Sequence, residues 1–159
     1  MKALLVYDSQ FGNTEKIAQA IGSAFQAQVE TTLIRAAEAT PRSISGYDLL
    51  VVGSPTQRFH ATEPVAGWLE GLDLTGVKAS AFDTRFDMAE VDSRMLRMAV
   101  KVAGENAYAA PRIAAELKKA GATLVAPPEG FIVEETEGPL RTGELERAAA
   151  WAGQILASF

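Results

Sequence analysis

The residues with the most specific chemistry in this chain lie in one short polar stretch, Ser9, Gln10, Phe11, Gly12, Asn13 and Thr14, between an apolar run and a helical pattern. Hydroxyls and amides flank a glycine, and no basic residue stands among them. The start of a helix leaves backbone N–H groups unpaired at the positive end of the helix dipole, so an anion is attracted there. Gly12 lets the backbone approach such an anion closely or take a positive φ. The stretch therefore suits a phosphate held by neutral donors. It also suits a plain turn in which Ser9 and Thr14 cap the helix and Gly12 reverses the chain.

Two further polar groups follow apolar runs. The first is Ser54, Pro55, Thr56, Gln57, Arg58 and Phe59, continuing through His60 to Ala61; the second is Asp83, Thr84, Arg85 and Phe86, ending at Asp87. Phe59 and Phe86 close these groups and could be buried, as aromatics commonly are. Arg58, His60 and Arg85 bring positive charge to these loops, unless acids such as Asp83 or Asp87 take up the arginines.

Alternating elements must position the three groups. Residues 3–7 are near-continuously apolar, as in a strand buried on both faces of a parallel sheet. Ile17, Ala18, Ile21 and Phe25 recur at helical spacing, and residues 28–34 and 48–52 read as the next two strands. Thr62, Glu63 and Pro64 form a helix start, with the helix expected to run to Leu72. Residues 77–82 predict a strand, 110–119 an amphipathic helix, 122–125 the last core strand and 144–156 the final helix. Met88, Val91, Met95 and Met98 recur at helical spacing, for which core packing is the default and an adaptable docking face the alternative. Trp68 and Trp151 read as core residues. Residues 126–142 form a long excursion that could cover an edge, form a partner surface or extend the last strand.

Strands alternating with helices imply right-handed crossovers, a doubly wound parallel sheet and helices on both faces. Ligands then collect at the carboxyl ends of the strands, where the three polar loops emerge.

Composition narrows the function. The 159 residues carry 15 Lys and Arg against 20 Asp and Glu, a net charge of -5, which opposes nucleic-acid or anionic-membrane surfaces. Without cysteine there is no disulfide, iron–sulfur or thiolate chemistry, and with His60 the only histidine a histidine-rich metal centre is excluded. The short apolar start does not read as a secretory leader and no apolar run has membrane-spanning length. One soluble, cytoplasmic domain over 1–159 is the expectation.

The string "LVYDSQFGNTEKIAQAI" is similar to the phosphate-loop signature of flavodoxins, with Leu5, Val6, Tyr7, Ser9, Gly12, Thr14, Ala18 and Ile21 at matching positions, and "VVGSPT" resembles the end of their third strand. The first loop looks closest to the flavodoxin module of flavo-diiron proteins, although a chain with one histidine has no room for the diiron module. Flavodoxins are the type example of strand order 2-1-3-4-5 with FMN at the switch between the first and third strands. The resemblance therefore implies a flavodoxin-like, five-stranded α/β fold in that order. It also implies FMN bound by residues 9–14, 54–59 and 83–86, and electrons passed to redox partner proteins by a monomer or weak dimer.

This chain departs from the pattern in several places. Phe11 replaces a common Thr, the usual Trp and Tyr of the ring walls are absent, leaving Phe59 and Phe86 as the walls the resemblance implies, and Asp8 brings a carboxylate beside the phosphate loop. "TQRFHATEP" lacks the glycine beside which a backbone carbonyl usually turns toward the flavin, so stabilisation of the one-electron form is expected to be modest. Two alternatives follow: an FMN-dependent NAD(P)H or quinone oxidoreductase, and a fold that has lost its cofactor. A receiver domain is excluded because the third strand ends in Gly53-Ser54 without a phospho-acceptor Asp. The lack of G-x-G-x-x-G in the first turn speaks against a dinucleotide-binding domain.

Overall fold

The computed structural model describes residues 1–158. Its central sheet is parallel throughout and is assembled from β1 (Lys2–Tyr7), β2 (Glu30–Arg35), β3 (Leu49–Pro55), β4 (Lys78–Arg85), β5 (Thr123–Leu124) and β6 (Glu129–Ile132). The order is β2-β1-β3-β4-β5, with β6 also on β4. This is the expected 2-1-3-4-5 arrangement, except that two short strands share the fifth position.

Residue pairing explains the split. Lys78 and Ala79 of β4 pair with Thr123 and Leu124, whereas Phe82 to Arg85 pair with Glu129 to Ile132. Between the two lie Pro127 and Pro128, which have no N–H to donate to the ladder. The excursion at 126–142 thus extends the last strand in its first part. Pairing with β6 also carries β4 to Arg85, so Asp83, Thr84 and Arg85 belong to the strand and not, as expected, to the loop after it.

Alternation along the strands sorts side chains into two cores. Leu4, Val6, Leu50, Val52, Ala79 and Ala81 face α2 (Glu63–Leu69) and α4 (Ala109–Lys119). Ala3, Leu5, Leu49, Val51 and Phe82 face α1 (Asn13–Gln26) and α5 (Glu144–Ala157), where Phe82, Phe131 and Trp151 pack edge to face with centroids 6.1–6.2 Å apart. Trp68 and Trp151 are both buried, as their helical positions predict. α2 stops at Leu69, short of the expected Leu72.

The largest difference lies after β4. The helix there, α3 (Arg94–Ala103), begins beyond Met88 and Val91, and none of its residues is buried. Met95 and Met98 are 84% and 59% exposed, so the expectation of core packing fails for them. Helical periodicity identifies an apolar row but not what, if anything, covers it.

Candidate functional site

A cleft of about 1010 Å³ opens at the carboxyl ends of the strands, between the loops after β1, β3 and β4. The chain leaves β1 for one side of the sheet through β2 and returns to the other through β3, which makes this end the point of order reversal. The cleft brings together Ser9, Gln10, Phe11, Asn13 and Thr14 with Pro55, Thr56, Gln57, Arg58 and Phe59, and with Thr84, Arg85 and Phe86. Gly12, Ser54 and Asp83 are not among its lining residues, and their roles differ.

Gly12 stands immediately before α1 with φ 92°, a conformation that side chains resist. Ser9 Oγ accepts hydrogen bonds from the N–H groups of Gly12 (3.1 Å) and Glu15 (3.2 Å), which fixes the loop and leaves the Ser9 hydroxyl proton free to donate. Ser9 is therefore a cap as well as a potential donor. Among the described residues, the backbone N–H groups of Gln10, Phe11, Asn13 and Thr14 find no acceptor. Unpaired amides clustered at a helix start are the donor set that an anion completes.

The other two expected donors are partly engaged. Asn13 Nδ2 donates to the Glu137 carbonyl (3.2 Å), tying the loop to residues 134–138. Thr14 and Thr84 share one hydroxyl–hydroxyl bond of 2.8 Å, so the pair keeps one O–H to give. Asp8 does not line the cleft. Behind the loop, Arg35 donates to the Ser9 carbonyl (3.3 Å) and to Glu15 (2.6 Å), while Tyr7 donates to Glu15 (2.9 Å). A cation thus buttresses the loop from β2 with its charge already matched.

Ser54 is fully buried and holds the next loop: its hydroxyl donates to the Pro55 carbonyl and accepts the Thr62 N–H. Thr62 precedes α2 as expected, but its hydroxyl makes no capping bond. Among the described residues that hydroxyl is buried without a partner, on a residue that lines the cleft. A buried polar atom left this way costs free energy unless a ligand completes it. Nothing in the sequence marks Thr62 out, since its capping position supplies an ordinary role.

Across the mouth, the Gln57 side-chain amide donates to Gln10. Gln57 and His60 exchange two backbone hydrogen bonds of 2.9 Å around a two-residue turn whose centre, Arg58 and Phe59, has φ of 49° and 72°. Such turns favour Asn and Gly, so an Arg-Phe pair stores strain at the rim. Phe59 is half-buried and Phe86 is 36% exposed; both face the cleft and not the core, and Phe11 beside them is 45% exposed.

Asp83 anchors the β4 side. Fully buried, it holds Arg85 through two bonds of 2.7 Å and accepts the Ala110 N–H at the start of α4 (2.9 Å). Burial pushes its carboxyl upward, against the pull of Arg85, the Ala110 amide and the Thr56 hydroxyl. Arg85 also lies over the Tyr108 ring, 3.7 Å from the centroid, and a Cβ on Gly130 would overlap its guanidinium. Of the three basic residues of these loops, Arg85 is neutralised, while Arg58 and His60 are exposed and, among the described residues, have no side-chain partner.

The family model described as Flavodoxin matches residues 5–151. A curated flavodoxin from Picosynechococcus sp. (strain ATCC 27264 / PCC 7002 / PR-6) is 25% identical over 98% of this chain and 96% of its own. The crystal structure of oxidised flavodoxin 1 from Bacillus cereus matches with TM-score 0.78 and 17% identity, covering 100% of this chain and 99% of that one. A flavodiiron core from Synechocystis sp. PCC6803 matches with TM-score 0.71 and 20% identity over 99% of this chain but 36% of its own, in keeping with the resemblance of the first loop to such modules.

Proposed function

The chain belongs to the flavodoxin family, and from that premise we propose how its own residues serve an FMN-binding electron-transfer protein working with redox partner proteins. The phosphate is held by the free amides of Gln10, Phe11, Asn13 and Thr14 together with the Ser9 hydroxyl. The neutral set needs no counter-cation, and Arg35, already matched by Glu15, keeps the loop in place. Phe59 and Phe86 give the ring its apolar surfaces, and the unpartnered Thr62 hydroxyl offers it a polar contact. FMN supplies the redox chemistry when bound; the protein supplies the seat, the exclusion of water and the local charge. Arg85, paired with Asp83, adds little net charge to that environment, and among the described residues Arg58 at the rim is the cation left unmatched. We place the chain in the cytoplasm as one domain acting as a monomer or weak dimer.

The observation that carries this reading is the set of unpaired amides at the start of α1, opening into a cleft with exposed aromatic walls. Flavin fluorescence titrated with the protein tests it using FMN and riboflavin in parallel. FMN is expected to bind at least about tenfold more tightly, a difference of about 1.4 kcal/mol from the phosphate. Equal affinities would overturn the phosphate assignment.

A further inference from the structure

Seen along its axis, α3 presents three different rows. Leu96, Val100 and Ala103 share one face, and Leu96 and Val100 line the cleft. Arg94, Arg97 and Lys101 recur at the spacing of a second row, and Met95, Met98 and Val102 at that of a third beside it. The third row is 84%, 59% and 82% exposed. The helix contains no acidic residue, although the chain carries a net charge of -5.

The cations of α3 are also unmatched. Arg35, Arg85, Arg141 and Arg147 each pair with carboxylates, Arg141 with three of them. Among the described residues, Arg94, Arg97 and Lys101 form no ion pair, and Arg97 donates only to the Val91 carbonyl (3.1 Å). Arg58, exposed at the rim of the same cleft, is likewise without a carboxylate.

Resting on the flavin reading of the cleft, we propose that α3 is the docking surface for an acidic redox partner protein, whose carboxylates meet Arg94, Arg97 and Lys101 while its apolar patch covers Met95, Met98 and Val102. Charge complementarity decides the partner's sign: unpaired cations occur elsewhere among the described residues, Lys118 and Lys119 for example, but on α3 three of them share one helix that holds no acid and borders the cleft. Methionine suits such a contact because it repacks against different surfaces. The place is apt, since the opposite face of the helix walls the cleft and a protein seated there lies beside the ring. A bilayer fits less well. Interfacial helices sink a broad apolar face into lipid, whereas the Leu96 row is turned toward the cleft and leaves only one narrow row outside, on a chain whose net charge repels anionic lipid.

The test is a titration of the ¹⁵N-labelled, FMN-loaded chain with a small acidic [2Fe–2S] ferredoxin at low salt, read by amide shifts and broadening. Perturbation is expected to centre on 94–102 and Arg58. The triple variant R94E/R97E/K101E should bind at least about tenfold more weakly, with FMN affinity unchanged. Perturbation falling on the acidic segment 134–137, or persisting in the variant, overturns the inference. So does co-sedimentation of the wild type with phosphatidylglycerol vesicles that the triple variant abolishes, because the surface then belongs to a membrane. If α3 stays silent in a chain that has taken up FMN, only this inference falls. A chain that takes up no FMN overturns the proposed function, and this inference with it.

Discussion

From β1 to α1 the chain crosses the end of the sheet in residues 8–12, whereas from β4 to α4 it takes residues 86–108 and builds α3 on the way. The short crossing is fixed by backbone and hydroxyl bonds: Ser9 to Gly12 and Glu15, Arg35 to Ser9, Asn13 to Glu137. The long one is exposed along its helix and carries cations without carboxylate partners. A seat for a small anion needs fixed donors, because every loose group adds ordering cost on binding. A surface that meets other proteins tolerates exposure and adapts by repacking. The two walls of one cleft are thus built for different visitors.

Asp83 anchors both ends of the long crossing, Arg85 at the end of β4 and the Ala110 amide at the start of α4, and its removal should have the largest effect. Asp83→Ala leaves Arg85, which is 20% exposed, without its carboxylate and α4 without an anchor for the Ala110 amide. A loss of about 3 kcal/mol in unfolding free energy is expected, measured by urea denaturation. A loss below about 1 kcal/mol would show that the pair does not anchor the crossing.

On the short side, Arg35→Ala removes the buttress behind Ser9. FMN affinity should fall by about tenfold while unfolding stability changes by less than about 1 kcal/mol, because the Arg35–Glu15 pair is partly exposed. Unchanged affinity would mean that the loop holds itself.

The strained turn at the rim gives a prediction of opposite sign. Glycine usually weakens a protein, yet Arg58→Gly should raise stability by about 1 kcal/mol by releasing a residue at φ 49°. A loss of stability in denaturant melts would remove the claim of stored strain.

On the long side, Met95→Ser with Met98→Ser should change stability by no more than about 0.5 kcal/mol, as exposed positions do. Were these core residues, each truncation would cost about 2 kcal/mol or more. The smallest effect concerns acid. Arg141 and the Ala89 N–H hold the Asp87 carboxyl below its ordinary range, so the bond that ties the Phe86–Glu90 turn to Arg141 is present above the unfolded value near about pH 4 and is lost as pH falls through the depressed folded value. Amide exchange in residues 86–90 should rise below that pH in the wild type, and Asp87→Asn should show the faster exchange at neutral pH already.

The sequence made the first wall legible because its signals are local: a strand end, a serine, a glycine and a helix start follow one another within a few residues. Alternation of strand and helix made the parallel sheet legible for the same reason, while its strand order came from the resemblance of the first loop and third strand to flavodoxins. β6 was not, because its pairing with Phe82–Arg85 is set by a distant strand and Pro127-Pro128 masks the continuity. α3 was misread because Met95 and Met98 have the spacing of a core face, and spacing says nothing of what lies opposite. The Asp83–Arg85 pair could be weighed from two residues on one strand face, but the Tyr108 ring and the Gly130 backbone that complete its box come from elsewhere in the chain.

The most direct test of the account is an anaerobic reductive titration of the purified chain after loading with FMN, followed by visible absorbance. A yellow protein with one FMN per chain is expected, with spectra that pass through a one-electron stage before bleaching. A protein that stays colourless in excess FMN would contradict the account at the seat, and one that bleaches directly from oxidised to fully reduced would contradict it at the level of electron carriage.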